Sequence, residues 1–133
     1  MNERHLDEEL GILNNELLTM ATMVEESIHK SIEALKNRDK AMAESVIRLD
    51  EEIDEMEIRI EERCIDLLAL FQPMAVDLRF ITTGMHINSE MERIADLAVN
   101  ICQRAIEISS LPMLKQFTVI PKLADQAKWM VKN

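Results

Sequence analysis

Three consecutive segments of this chain carry apolar residues at alternating steps of three and four, and that rhythm limits the fold more than any other feature. In the first segment Leu10, Leu13, Leu17, Met20, Val24, Ser27 and Ser31 follow it, and Leu35 closes the series. Spacing of this kind lines up one face of an α-helix in a near-heptad seam. The second segment reads Met42, Val46, Leu49, Ile53, Met56, Ile60, Cys64, Leu67 and Phe71, with no Gly or Pro inside. It predicts a helix of about thirty residues, roughly 45 Å long. The third shows Phe80, Gly84, Ile87, Met91, Ile94, Ala98, Ile101, Ala105 and Ile108.

The interruptions are short. Asn37-Arg38-Asp39 breaks the first pattern, and Asp39 is a suitable N-cap for the second helix. Pro73 stops the second helix and is expected in the first turn of the third. Leu111-Pro112 ends the third. Three long helices with short connections predict an all-α fold, an up-down-up three-helix bundle over residues 1–111. Small residues on the third helix (Gly84, Ala95, Ala98 and Ala105) would let its neighbours approach closely.

Residues 112–133 are expected to form a linker and the start of a truncated second repeat, a short C-terminal helical extension. A fourth apolar pattern begins after Pro121 with Leu123, Ala127 and Met130. Ile120, Ala127, Met130 and Val131 also fall on Leu13, Met20, Met23 and Val24 when the tail is laid over the first helix. The competing reading is a short helix docked across the end of the bundle.

Composition removes other classes. A chain of 133 residues suits one domain. Gly 2 and Pro 3 are too few for a β-sandwich or barrel, or for low-complexity disorder. No apolar run approaches the roughly 18 residues of a membrane span, so no direct membrane insertion is expected. The start Met1-Asn2-Glu3-Arg4-His5 lacks the apolar stretch of a secretory signal. Cys64 and Cys102 suit a reducing cytoplasm better than a disulfide scaffold. The 25 acids outnumber the 15 bases and leave a net charge of −10, which repels nucleic-acid phosphates. The absence of Tyr and the single Trp argue against a stacking platform for bases or sugars.

Catalytic signatures are missing. There is no phosphate-binding glycine loop, nucleophile elbow or Cys-x-x-Cys pair. A carboxylate-bridged di-iron centre needs two Glu-x-x-His units, and only Glu26-Ser27-Ile28-His29 is present. Glu26 and His29 point away from the Val24 side of their helix, and His86 falls on the polar side of the third helix; these groups read as solvated.

The strongest chemical signal is Glu92 with Asp96, an i,i+4 carboxylate pair on the flank of the third helix's seam, in a row with Leu78, Met85, Val99 and Ile106. Their Cβ atoms should lie about 6 Å apart. Two partly desolvated carboxylates repel unless a cation or a basic side chain neutralises them. Oxygen-only ligands suit Mg²⁺, Mn²⁺ or iron. An ordinary acidic pair bridged by Arg93 or by a neighbour's lysine is the plainer alternative. On the second helix Asp50, Asp54, Glu57 and Glu61 run along one side. They either face Glu92 and Asp96 across the groove or form a solvated face. Asp77-Leu78-Arg79 opens the third helix, where the acid is favoured by the helix dipole and the pair could fix the loop or meet a partner.

Taken together, Gln72-Pro-Met-Ala-Val-Asp-Leu-Arg79 and Glu92-Arg-Ile-Ala-Asp96 resemble the PhoU family of phosphate-transport regulators. Leu35-Lys-Asn-Arg-Asp39, Asp50-Glu-Glu-Ile-Asp54 and Ile94-Ala-Asp-Leu-Ala-Val-Asn-Ile101 are similar to the family pattern too. The resemblance covers about residues 5–110 as one repeat, with the tail from Ile120 like the start of a second. It implies a non-enzymatic, cytoplasmic regulator of phosphate uptake and of the phosphate-starvation response. The implied partners are the phosphate ABC transporter ATPase and the sensor histidine kinase of a two-component system. It also implies a multinuclear iron or zinc cluster at Glu92 and Asp96; from the residues themselves, Asp50 and Asp54 are the further candidate ligands, and Mg²⁺ or Mn²⁺ the cations ranked behind iron and zinc. Asp77 and Arg79 are candidates for partner binding.

The alternative to a metal-bearing adaptor is a metal-free structural or oligomerising bundle. Apolar residues cover well over half the circumference of the third helix, more than a three-helix core needs. That surplus predicts a homo-oligomer such as a homodimer.

Overall fold

The periodic segments fold as four α-helices. These are α1 (Asn2–Asn37), α2 (Lys40–Phe71), α3 (Ala75–Ile108) and α4 (Met113–Lys132), with no strand among the described residues. The computed structural model describes residues 2–111 and 113–132, and the side chains of residues 3–111 and 121–131. The three long helices have 36, 32 and 34 residues, so each spans about 50 Å.

One residue serves both sides of the first turn. Arg38 takes a left-handed conformation at φ 56, and the Asp39 amide donates to the Ala34 carbonyl at 2.9 Å, which closes α1 in the manner of a Schellman motif. The Asp39 carboxylate then accepts from the Met42 amide at 3.0 Å and caps α2, as the sequence predicts.

The second turn departs from expectation. Gln72 caps α2 at φ 46, Met74 is extended, and Ala75 opens α3 at φ 49. Pro73 therefore lies in the turn, not in the first turn of α3, because left-handed Ala75 interrupts any right-handed helical path from the proline. No side chain caps α3; the Met74 carbonyl accepts from the Asp77 amide at 3.2 Å instead.

Two apolar clusters fill the bundle along its length. Ile28, Ile32 and Leu35 of α1 meet Ala43 and Val46 of α2 and Ala98, Cys102, Ala105 and Ile108 of α3. Further along, Leu6, Leu13, Met20 and Val24 meet Ile53, Ile60, Cys64 and Leu67, together with Ile81, Met91 and Ala95. Rising numbers in α1 thus meet falling numbers in α2 and rising numbers in α3, so neighbouring helices in the chain lie antiparallel.

The seams of α1 and α2 are those read from the sequence. The seam of α3 is broader than the one read from the sequence: Gly84, Met91, Ala98, Ile101, Ala105 and Ile108 are buried as expected, and a second row is buried beside them. Phe80 and Ile87 are exposed, and the second row runs through Ile81, Asn88, Ala95 and Cys102. Both rows have heptad spacing and lie side by side on a helix that is apolar over most of its surface, so periodicity alone does not choose between them. Gly84, Ala95, Ala98 and Ala105 are buried as expected. A Cβ at Gly84 would stand 3.2 Å from Leu17 Cδ1, so the missing side chain permits the close approach of α1 and α3.

The tail also differs from its expectation. The fourth helix does not begin after Pro121 but at Met113, with Pro121 inside it. Ala124 and Ala127 are buried in the same cluster as Leu35, Ile101 and Ala105, so α4 docks on α1 and α3. Pro112 and the Ile120 side chain, which entered the reading of the tail as a second repeat, lie outside the described residues.

Candidate carboxylate site

The groove between α2 and α3 collects the acids singled out in the sequence. Asp50, Asp54 and Glu57 stand on one side of α2, and Glu92 and Asp96 stand one turn apart on α3. Helical spacing creates each row; the antiparallel pairing of α2 with α3 brings the rows together. A partly buried cross-helix bond lies at this level, from Asn88 Nδ2 to the Glu57 carbonyl at 2.9 Å, one turn before Glu92. Asp50, Asp54, Glu57 and Glu92 are half-buried, and Asp96 is exposed.

Electrostatics mark the cluster. Burial, a hydrogen bond shared with Asp96 and the charges of Asp96, Glu57 and Asp54 push the Glu92 carboxyl up to about 7. Burial and the charges of Asp54 and Asp96 raise Asp50 to about 6. Asp54 is raised by burial and by Asp96 and Glu51, and Glu57 by burial and by Glu61, Asp54 and Asp96. Among the described residues no basic side chain comes within ion-pair distance of these acids, so neither Arg93 nor a lysine bridges Glu92 to Asp96. Asp50 Oδ1 is buried without a hydrogen-bond partner. Such a set of oxygens gains from a proton or a cation placed among them. The donor chemistry suits hard and borderline cations. With the side chains as they stand, no three His, Cys, Asp or Glu groups among the described residues are arranged to hold a metal ion.

The remaining sequence candidates lie elsewhere. Asp77 is half-buried in the first turn of α3, where the dipole favours an acid; Arg79 is exposed and makes no ion pair with it. Both sit by the α2–α3 turn, far along α3 from Asp96. His29 and His86 are exposed, and Glu26 pairs with Lys30 at 2.7 Å. Burial pushes the thiols of Cys64 and Cys102 up to about 11 and about 12, so neither is a ready nucleophile.

Two polar features escaped the sequence. Asn88 occupies a core position on α3. Arg63 of α2 bridges two acids of α1, donating to Glu9 at 3.1 Å and through Nε to Glu16. That clamp borders an open cavity of about 480 Å³ at the bundle end, lined also by His5, Arg59, Leu70 and Phe71. Partners 47 and 54 residues apart in the chain leave no local signal.

No helix among the described residues is long and apolar enough to cross a membrane. The profile of the PhoU domain matches residues 17–105. The chain is 41% identical over 128 residues to the phosphate-specific transport system accessory protein PhoU homolog of Aquifex aeolicus, covering 96% of this chain and 58% of that protein. It is 34% identical over 134 residues to the homolog of Clostridium acetobutylicum, covering 100% of this chain and 61% of the relative. With the Escherichia coli protein PhoU the identity is 37% over 99 residues, which is 74% of this chain and 41% of the other. The chain thus spans about half the length of the curated relatives it matches. The relatives are named as accessory proteins, not as enzymes. A helical bundle with paired acids on α2 and α3, matched by the domain profile over most of its length, belongs to the PhoU family.

Proposed function

We propose that this chain is a non-catalytic accessory component of a phosphate-specific transport system, regulating phosphate uptake and phosphate-starvation signalling from the cytoplasm. The observation that carries this reading is the 41% identity over 96% of the chain to a protein named for that role. Its mechanism is interaction: it links the ATPase of the phosphate ABC transporter to the sensor histidine kinase of a two-component system and holds the starvation response off. Acidic grooves bordered by apolar residues bind basic helical partners through complementary charge. Asp77 and Arg79, beside the exposed Met74 and Val76, offer a further contact at the α2–α3 turn.

In this reading Glu92 and Asp96 hold a cation, iron or zinc ahead of Mg²⁺ or Mn²⁺, with Asp50 and Asp54 as secondary ligands. The bound ion would supply the positive charge that the cluster lacks. The unpartnered Asp50 Oδ1 and the raised carboxyls of Asp50 and Glu92 support it. Because no three groups converge as they stand, binding would require side chains to turn inward. That same observation favours the second reading, a metal-free structural or oligomerising bundle.

Elemental analysis of protein purified without chelator separates the two, beside the Glu92→Ala/Asp96→Ala double variant. Iron or zinc in the wild type and its loss in the variant are expected; metal in neither selects the metal-free bundle. The adaptor role is tested by pull-down with the transporter ATPase and the sensor kinase. Recovery of neither removes its support.

A further inference from the structure

We propose that the cleft where α4 lies on α3 is a binding site for a small amphiphilic anion, a carboxylate or phosphate head on an apolar chain of about eight carbons. The site goes beyond the adaptor reading and uses none of the carboxylates in the α2/α3 groove. The docking of α4 leaves an open cavity of about 240 Å³. Its floor is apolar: Leu35, Ile101 and Ala127 are buried, and Leu97 and Leu123 are half-buried. The short side chain of Ala127 leaves room that a longer one would fill. The rim is polar. Asn100 and Arg104 stand one turn apart on α3, Gln126 comes from α4, and all three are exposed. A molecule with one apolar and one polar end is held in such a cleft with its chain inward and its head at the rim. An apolar cavity of about 150 Å³ takes a benzene ring, so this one suits roughly ten heavy atoms, the size of octanoate.

Charge selects the head. None of the residues lining this cleft is acidic, although acids outnumber bases 25 to 15 in the chain. The adjoining cavity beyond Leu97 and Met130 carries Glu90 and Asp96, and the bundle-end cavity carries Glu9, Glu62 and Asp66. Arg63 engages its guanidinium with Glu9 and Glu16, whereas among the described residues Arg104 has no acid within ion-pair distance. Its fork is therefore open to the paired oxygens of a carboxylate or phosphate, with the Asn100 and Gln126 amides as further donors. Lys36 and Lys128, next in the chain to the lining residues Leu35 and Ala127, stand close enough to share a hydrogen bond. The Lys36 ammonium holds Lys128 below its ordinary range, with Glu33 and Asp125 acting against it. Two ammonium groups gathered at this end add to the positive potential about the cleft. A cationic amphiphile would meet repulsion at the same rim.

Calorimetric titration of the 133-residue chain with octanoate, from about 10 μM to about 10 mM, tests this. Saturable binding is expected, with a change in the fluorescence of Trp129, the single tryptophan, which adjoins the lining residue Met130. Octylamine, equal in chain length and opposite in charge, should bind at least about tenfold more weakly. Arg104→Gln should weaken octanoate binding by about tenfold, with helical content by circular dichroism unchanged. Gln126→Glu, which places an acid on the rim, should act in the same direction. Arg93→Gln, on the same helix outside the cleft, should leave binding as it was. Phosphatidylglycerol vesicles separate two sources of such a head. Co-sedimentation that is lost in Arg104→Gln assigns the site to a lipid; octanoate binding without co-sedimentation assigns it to a soluble amphiphile, and either result supports the proposal. No saturable binding of octanoate, equal affinity for octylamine, or octanoate binding insensitive to both rim variants would overturn it.

Discussion

Asn88 of α3 donates its side-chain amide to the main-chain carbonyl of Glu57 on α2 at 2.9 Å, while its own Oδ1 is buried with no partner. The bond pins the two helices together one turn from Glu92. Asn88→Ala should cost about 1–2 kcal/mol, from a lost hydrogen bond and a small cavity. Asn88→Leu should cost less than about 1 kcal/mol, because it removes the orphaned oxygen and fills the space. Urea denaturation of both variants checks the order; a Leu variant less stable than the Ala variant would contradict it.

Arg63 holds Glu9 and Glu16 of α1 across the α1/α2 interface. The Arg63 side chain is 26% exposed and that of Glu16 13%, so this clamp lies between a surface pair and a buried one. Arg63→Ala should cost about 2 kcal/mol, chiefly by leaving Glu16 without its partner. Arg63→Lys should recover only part, since an ammonium cannot reproduce the forked contact. Double-mutant cycles with Glu16→Gln would isolate the pair; no coupling between the two positions would refute the clamp.

Stability should fall as pH rises through neutrality. Asp50 and Glu92 bind protons more tightly in the fold than in the unfolded chain, with values of about 6 and about 7. Between the ordinary carboxyl range near about 4 and these raised values, the native state holds more protons, so the slope of stability against pH is negative. Their contribution is whole below the ordinary range and lost above the raised one. Asp54 and Glu57 act in the same direction. Glu92→Gln and Asp50→Asn should each stabilise the protein at about pH 8 by on the order of 1 kcal/mol, after allowance for solvent screening, and should flatten the profile. Urea midpoints at about pH 5 and about pH 8 read this directly.

The two turns respond differently to substitution. Asp39→Ala removes the α2 cap and should cost about 1 kcal/mol, whereas Asp39→Asn should cost a few tenths. Ala75→Gly should stabilise by about 0.5–1 kcal/mol, since glycine accepts the left-handed conformation at φ 49 without a Cβ clash. The same change at Ala21, exposed in the interior of α1, should cost about 1 kcal/mol. Thermal melts of the four variants provide the test, and a destabilising Ala75→Gly would refute the strain at that turn.

Helix identity was legible because burial of one face imposes its period locally, residue by residue. Leu13, Met20 and Val24, or Ile53, Ile60 and Cys64, recur wherever the helix turns back to the core, and Asp39 signals its cap within three residues. The position of Pro73 was not legible, because the left-handed backbone at Ala75 belongs to a residue type that rarely adopts it. The start of α4 was hidden by Pro121, which ordinarily reads as a helix boundary.

The acids of the site were legible as two separate rows, Asp50 with Asp54 and Glu92 with Asp96. By itself the sequence determined the three long helices, the α1 and α2 seams and the carboxylates on α2 and α3, because those depend on local spacing and charge. Only the tertiary structure decided that the two rows share one groove, that Asn88 rather than Ile87 turns into the core, and that Arg63 meets Glu9 and Glu16. Those outcomes depend on how far each helix rotates and slides against its neighbours. On an apolar surface as broad as that of α3, two adjacent rows satisfy the hydrophobic period equally well, and the packing of all the helices together decides which residues of each are buried, Asn88 rather than Ile87 in one half and both Ile101 and Cys102 in the other.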